Sequence, residues 1–103
     1  MSEVTLTMPA TGNAPTVAGV PIRIDKASPD ATYKQLAAEL RRVIAEHPEE
    51  LSLDDDTGLR RLPTIHELIR DTGLSQNTIR KAVDVLRAEG LVVTAPGRGV
   101  FVR

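Results

Sequence analysis

Gln76, Asn77, Arg80 and Lys81 follow Ser75 within the run SQNTIRKAV, and their types and spacing suit the reading of base edges. Gln and Asn amides can pair bidentately with adenine, and an Arg guanidinium with O6 and N7 of guanine. Gln76 and Arg80 stand four residues apart, so on a helix they point the same way and can address neighbouring base pairs. Ser75, Thr78 and the helix N-terminus they flank offer donors to phosphate oxygens. Farther along, Arg98 sits between Gly97 and Gly99. Such a turn lets the backbone approach a ligand, and an Arg at its tip can enter a narrow minor groove. The plainer readings of these residues are a solvated helix face and a glycine turn with a solvated Arg.

Other chemistry is less well supplied. Asp54-Asp55-Asp56 resembles a cation site, but a calcium loop needs acidic residues at alternate positions with a distal Glu. The run therefore reads as a solvated acidic turn. There is no cysteine, and His47 and His66 lie far apart in sequence. Disulfides, thiolate metal sites and a plausible metal ligand set are thereby removed. No P-loop or nucleophile motif is present, and His66 reads as a first-turn residue beside phosphate or solvent rather than a general base. The expectation is a protein that is not an enzyme and uses no cofactor or metal.

The net charge is −1, but it is unevenly distributed. Met1–Asp56 holds ten acidic and five basic residues; Thr57–Arg103 holds four acidic and eight basic. A basic C-terminal half is a modest sign of nucleic-acid contact. No secretory signal pattern and no run long enough to span a bilayer occurs, so no membrane is expected and a cytoplasmic, nucleoid-associated location is.

The elements that would position these side chains follow from periodicity. Residues 1–27 read as a flexible N-terminal tail, rich in Thr, Ala, Pro and Gly up to about Gly19. Within it Val20–Ile24 could form a short strand, at an edge because of Pro21. A first helix is expected after caps at Ser28-Pro29-Asp30. Its apolar stripe is Tyr33, Leu36, Ala37, Leu40, Val43 and Ile44, and Pro48 ends it. Glu49–Arg61 reads as a loop with a short strand near Leu59–Leu62. Thr64 and Glu67 form a capping box for a second helix, closed by Gly73 in the left-handed position. Ser75 caps a third helix with Ile79, Ala82, Val83 and Leu86 inward, and Gly90 stops it. Leu91–Thr94 and Gly99–Val102 then make a hairpin around Ala95-Pro96-Gly97-Arg98. The core must be aliphatic, since Tyr33 and Phe101 are the only aromatics.

Two helices about a tight Gly-containing turn, followed by a hairpin, describe a winged helix-turn-helix: mainly α, three helices plus a wing, over residues 28–103. Its third helix would enter the major groove. At this point the chain resembles the GntR family of winged-helix regulators. Tyr33-Lys34-Gln35-Leu36-Ala37 with Leu40-Arg41 and Ile44 is similar to that family's first helix. LPTIHEL, GLSQNTIRKAV, LRAEGLV and GRGVFV resemble its remaining blocks, in order and spacing, over roughly Thr32–Arg103. The resemblance implies binding of operator DNA through the second and third helices and the wing. The sites so expected are Thr64, His66, Ser75, Gln76, Asn77, Thr78, Arg80, Lys81, Gly97 and Arg98. Arg80 and Gly97 match positions the family uses at DNA. His66, and often Gln76, stand where the family has Arg, and the loop before Leu62 is longer and more acidic than its usual turn. These departures point to a kept docking mode and a different operator.

Family members normally continue into a C-terminal domain that binds a metabolite and dimerises, whereas this sequence stops at Arg103. It reads as a stand-alone module or as a segment cut from a longer protein. The resulting expectation is a sequence-specific regulator with double-stranded DNA as partner, no small-molecule effector bound within this chain, and at most weak dimerisation on DNA. The alternatives are a winged-helix protein-interaction module and an architectural binder of plasmid, phage or nucleoid DNA.

Overall fold

The structure, a computed structural model, describes residues 15–103 except Lys26 and Ser28. Its elements run β1 (Thr16–Val17), β2 (Val20–Pro21), α1 (Thr32–Glu46), a 3-10 turn (Pro48–Glu50), β3 (Ser52–Leu53), β4 (Arg60–Arg61), α2 (Ile65–Thr72), α3 (Gln76–Ala88), β5 (Val92–Ala95) and β6 (Gly99–Val102).

The apolar stripe of α1 forms as its spacing requires. Leu36, Ala37, Leu40 and Val43 are buried, with Tyr33 and Ile44 packed at the margin. They meet the inward face of α3, made of Ile79, Ala82, Val83 and Leu86. Leu68 of α2, Leu74 of the interhelical turn, Leu62 and Val92 extend this aliphatic core. At the solvent edge Arg41 of α1 grips Glu89, the C-cap of α3, through Nε–Oε1 at 3.0 Å and Nη2–Oε2 at 2.7 Å.

Three caps of the helix-turn-helix match the sequence reading. Thr64 Oγ1 accepts from Glu67 N at 3.1 Å, while Glu67 Oε1 accepts from Thr64 N at 2.8 Å. Gly73 caps α2 at φ 73°, with its N–H donating to the Ile69 carbonyl at 2.9 Å. A Cβ there would touch nothing within 4 Å. The preference for glycine is therefore conformational rather than steric. Ser75 Oγ accepts from Thr78 N at 3.2 Å and starts α3.

The start of α1 differs from the expected caps at residues 28–30. Its N-cap is Ala31, whose side chain makes no capping hydrogen bond. Gln35 instead donates from Nε2 to the carbonyls of Asp25 and Asp30, at 2.8 and 3.0 Å, and accepts from Asp25 N at 2.6 Å. The lead-in chain is thus tied to the first turn of the helix by an amide four residues inside it.

The tail expected over residues 1–27 is corrected over its second half. Thr16–Val17 and Val20–Pro21 form a hairpin whose two turn residues, Ala18 at φ 52° and Gly19 at φ 81°, both lie in the left-handed region, as a type I′ turn requires. Val17 is fully buried, and Val20 and Ile22 join it in the core. Glu39 of α1 accepts from Arg23 N at 2.7 Å, and Arg42 Nη2 donates to the Pro21 carbonyl at 2.9 Å. Three buried aliphatic side chains and these ties offset the ordering entropy that composition alone left uncompensated. The expectation for residues 1–14 lies outside the described residues.

The expected wing hairpin is present, with Val93 opposite Phe101 and Ala95 opposite Gly99. It belongs to a larger four-stranded sheet, ordered β3-β4-β6-β5. The stretch read as a loop from residue 49 to 61 supplies two of these strands. Ser52 pairs with Arg61 and Leu53 with Arg60, and Arg61 pairs in turn with Phe101. The strand expected near Leu59–Leu62 is therefore present, and its partner at Ser52–Leu53 is additional.

Candidate nucleic-acid interface

The residues expected to meet a duplex lie on three neighbouring elements, α2, α3 and the wing. Gln76, Asn77, Arg80 and Lys81 are all exposed on the first two turns of α3. Inward packing of Ile79, Ala82 and Val83 leaves no other direction for them. Ser75 and Thr78 join hydroxyls at 3.0 Å, so the cap is a linked pair at the helix N-terminus. Thr64 and His66 are exposed at the start of α2.

The exposed face of α3 divides into two flanks. On one, Arg80 borders a cleft of about 380 Å3 between α3 and the sheet, floored by Ile65, Val83 and Val100 and edged by Asp84, Arg87 and Thr94. On the other, Lys81 lies over the Tyr33 ring of α1, with Nζ 5.7 Å from the centroid. Lys81 is thus turned toward the first helix while Arg80 faces the wing, a division that the sequence reading did not draw.

Arg87 also borders this cleft, although the sequence reading placed it only on the outer face of the helix and not among the expected contacts. Its Nη2 lies 2.5 Å from Asp84 Oδ1, and its Nη1 donates to Thr94 Oγ1 at 3.4 Å, joining α3 to β5. The available signal was its place seven residues after Arg80, two turns along the same flank.

The wing turn brings Gly97 and Arg98 to the tip. Gly97 has φ 76°, and Arg98 N donates to the Ala95 carbonyl at 2.9 Å. Gly99, at φ 123°, lies against Arg61 of β4: a Cβ on it would come 3.3 Å from Arg61 Cδ. Arg98 is half exposed, and its guanidinium carbon lies 5.9 Å from the centre of the Phe101 ring.

The acidic turn between β3 and β4, read as simply solvated, is instead joined to this tip. Arg98 Nη2 lies 3.4 Å from Asp54 Oδ2 and 3.3 Å from Asp56 Oδ2. The Thr57 hydroxyl bonds the Asp54 carboxylate at 2.7 Å. That bond, opposed by partial desolvation and reinforced by the Thr57 N–H and the charges of Arg98 and Arg61, holds the Asp54 carboxyl below the usual carboxylate range. Among the described residues no group of three or more His, Asp or Glu side chains could hold a metal ion. No helix among them is long and apolar enough to cross a membrane.

Residues 32–102 match the gntR family of bacterial regulatory proteins, which takes in all three helices, their turn and the wing. The chain belongs to this family. Over 71 residues it is 32% identical to the uncharacterized HTH-type transcriptional regulator YydK of Bacillus subtilis (strain 168). That match covers 69% of this chain and 27% of YydK, so the chain spans about a quarter of that relative's length. Among solved structures, AraR(DBD) in complex with operator ORE1 is similar at a TM-score of 0.61 and 27% identity, covering 82% of this chain and 95% of that one. YtrA from Sulfolobus acidocaldarius, a GntR-family transcription factor, is similar at a TM-score of 0.62 and 34% identity, covering 80% of this chain and 79% of that one. Three helices with a sheet wing make this gntR-family chain a winged helix-turn-helix.

Proposed function

We propose that this chain is a sequence-specific, DNA-binding transcriptional regulator, with α3 in the major groove and the wing at the adjacent minor groove. The observation that carries this reading is the shared exposure of the polar N-terminal turns of α3 and the Gly97-Arg98 tip on neighbouring elements, in a family of regulators. AraR(DBD), similar over most of both chains, was solved with its operator. In this reading Gln76 and Arg80 read bases, with Asn77 beside them. Thr64, His66, Ser75, Thr78, Lys81 and Gly97 contact phosphates or bring the backbone close to them. Arg98 senses groove width and phosphate charge. The chain acts in the cytoplasm at the nucleoid and performs no catalysis. Its reading needs no small-molecule effector bound within the chain, and two copies align on paired half-sites while associating weakly in free solution.

Selection of bound duplexes from a random pool tests the proposal directly. The expected outcome is one enriched motif, bound on the order of 1,000-fold or more above a scrambled duplex, with affinity falling steeply as salt rises. Equal affinity for scrambled DNA would leave an architectural binder. Absence of binding by folded protein would leave a protein-interaction module.

A further inference from the structure

The turn between β3 and β4 is built to hold one carboxylate still. Asp54 N donates to the Leu59 carbonyl and Gly58 N donates to the Asp54 carbonyl, each at 2.8 Å. The Asp54 carboxylate accepts from both the Thr57 N–H, at 3.0 Å, and the Thr57 hydroxyl. Its side chain is only 17% exposed, whereas that of Asp56 is 81% exposed. Among the described residues the Asp56 side chain makes no hydrogen bond or ion pair besides that with Arg98. The strand register of β4 against β6 delivers this turn to the wing tip across 44 residues of sequence. Carboxylate oxygens from two aspartates therefore meet Nη2 of the one wing side chain best suited to a DNA phosphate.

We infer that the Asp54–Asp56 turn is an internal phosphate mimic that occupies Arg98 in the free protein and lowers the wing's contribution to DNA affinity. The inference rests on the DNA-binding reading above. A duplex entering the site must replace the carboxylates at Arg98 or share the guanidinium with them. Its phosphates also approach three aspartates within a Debye length, where repulsion is felt at ordinary ionic strength. Both effects act on the backbone, so they weaken binding to all sequences alike. The ion pairs are solvent-exposed, so the turn tunes affinity rather than locking the wing.

The test uses the full chain and fluorescence anisotropy with two duplexes, one selected and one scrambled, at low and high salt. Asp56→Asn is expected to tighten binding to both by about 2- to 5-fold at low salt, which is the worth of an exposed ion pair. Asp54→Asn with Asp56→Asn should tighten it further, and both gains should shrink at high salt. In an Arg98→Ala background the gains should shrink to the smaller part owed to repulsion alone. Weaker binding by Asp56→Asn would mean that the carboxylate aims Arg98 at DNA, and would overturn the inference. So would unchanged affinity, or a gain of equal size without Arg98. Thermal melting checks that each variant folds. If the Asp54 variant loses its turn, the exposed Asp56 decides alone. Wild type that is folded yet binds neither duplex would remove the DNA-binding reading, and this inference with it.

Discussion

Lys81 on α3 lies over the ring of Tyr33 on α1, with the ammonium 5.7 Å from the ring centre. The contact holds this cation at the edge of the exposed face of α3, away from the flank carrying Arg80. A cation held in this way can neutralise a phosphate without reading a base. Lys81→Ala should therefore weaken binding to selected and scrambled duplexes by similar factors and lower the salt slope by about one. Loss of the exposed cation–π contact should cost about 0.5–1 kcal/mol of stability. Parallel salt titrations and thermal melts check both effects; a loss confined to one sequence would assign Lys81 to base reading instead.

Arg80 and Gln76, both exposed on α3, are expected to divide the base reading. Arg80→Ala should cost roughly 1–3 kcal/mol at the best site and relax preference at one position. Gln76→Arg should move one preferred position from adenine toward guanine. Selection from a random pool with wild type and both variants decides this. Identical motifs from wild type and Gln76→Arg would confine Gln76 to phosphate or water-bridged contacts.

Thr64 accepts from Glu67 N, and Glu67 reaches back to Thr64 N. Thr64→Ala removes the side-chain half of this box and should destabilise the fold by about 1 kcal/mol. It should also fray the start of α2, which carries His66. Urea unfolding measures the cost, and amide hydrogen exchange at Glu67 reports the fraying. Unchanged exchange there would show that the cap does not hold that end.

Val17 is fully buried although it lies within the N-terminal stretch first read as a tail. Val17→Ala should destabilise the protein by about 1–3 kcal/mol, since it deletes buried methyl groups and leaves a space behind. Thr16→Ala serves as the neighbouring control, because Thr16 keeps partial contact with solvent. Equal unfolding midpoints for the two variants would place the hairpin outside the cooperative core.

Much of the helix-turn-helix could be read from local patterns. The stripe from Tyr33 to Ile44, the Thr64–Glu67 box, Gly73 and the Ser75 cap each involve residues a few positions apart. Helical hydrogen bonding is itself local, so its signals are legible in a linear chain. The ten expected contact residues were legible as chemical types, and the family resemblance ordered them. Their division into a Lys81 flank and an Arg80 flank was not, because it depends on what α1 and the sheet set beside α3.

The sequence by itself determined the three helices, the caps at Thr64, Gly73 and Ser75, the wing hairpin and the polar residue types exposed on α3. Tertiary structure alone decided the rest. Strands of two residues, as at Thr16–Val17 and Ser52–Leu53, are too short to carry a period, and they exist because neighbouring backbone pairs with them. The burial of Val17 follows from docking of its hairpin on the body. The meeting of Arg98 with Asp54 and Asp56 follows from the pairing of Arg61 with Phe101. Charges 42 and 44 residues apart carry no mark of one another in a chain, and become neighbours only when a sheet register sets the distance between them.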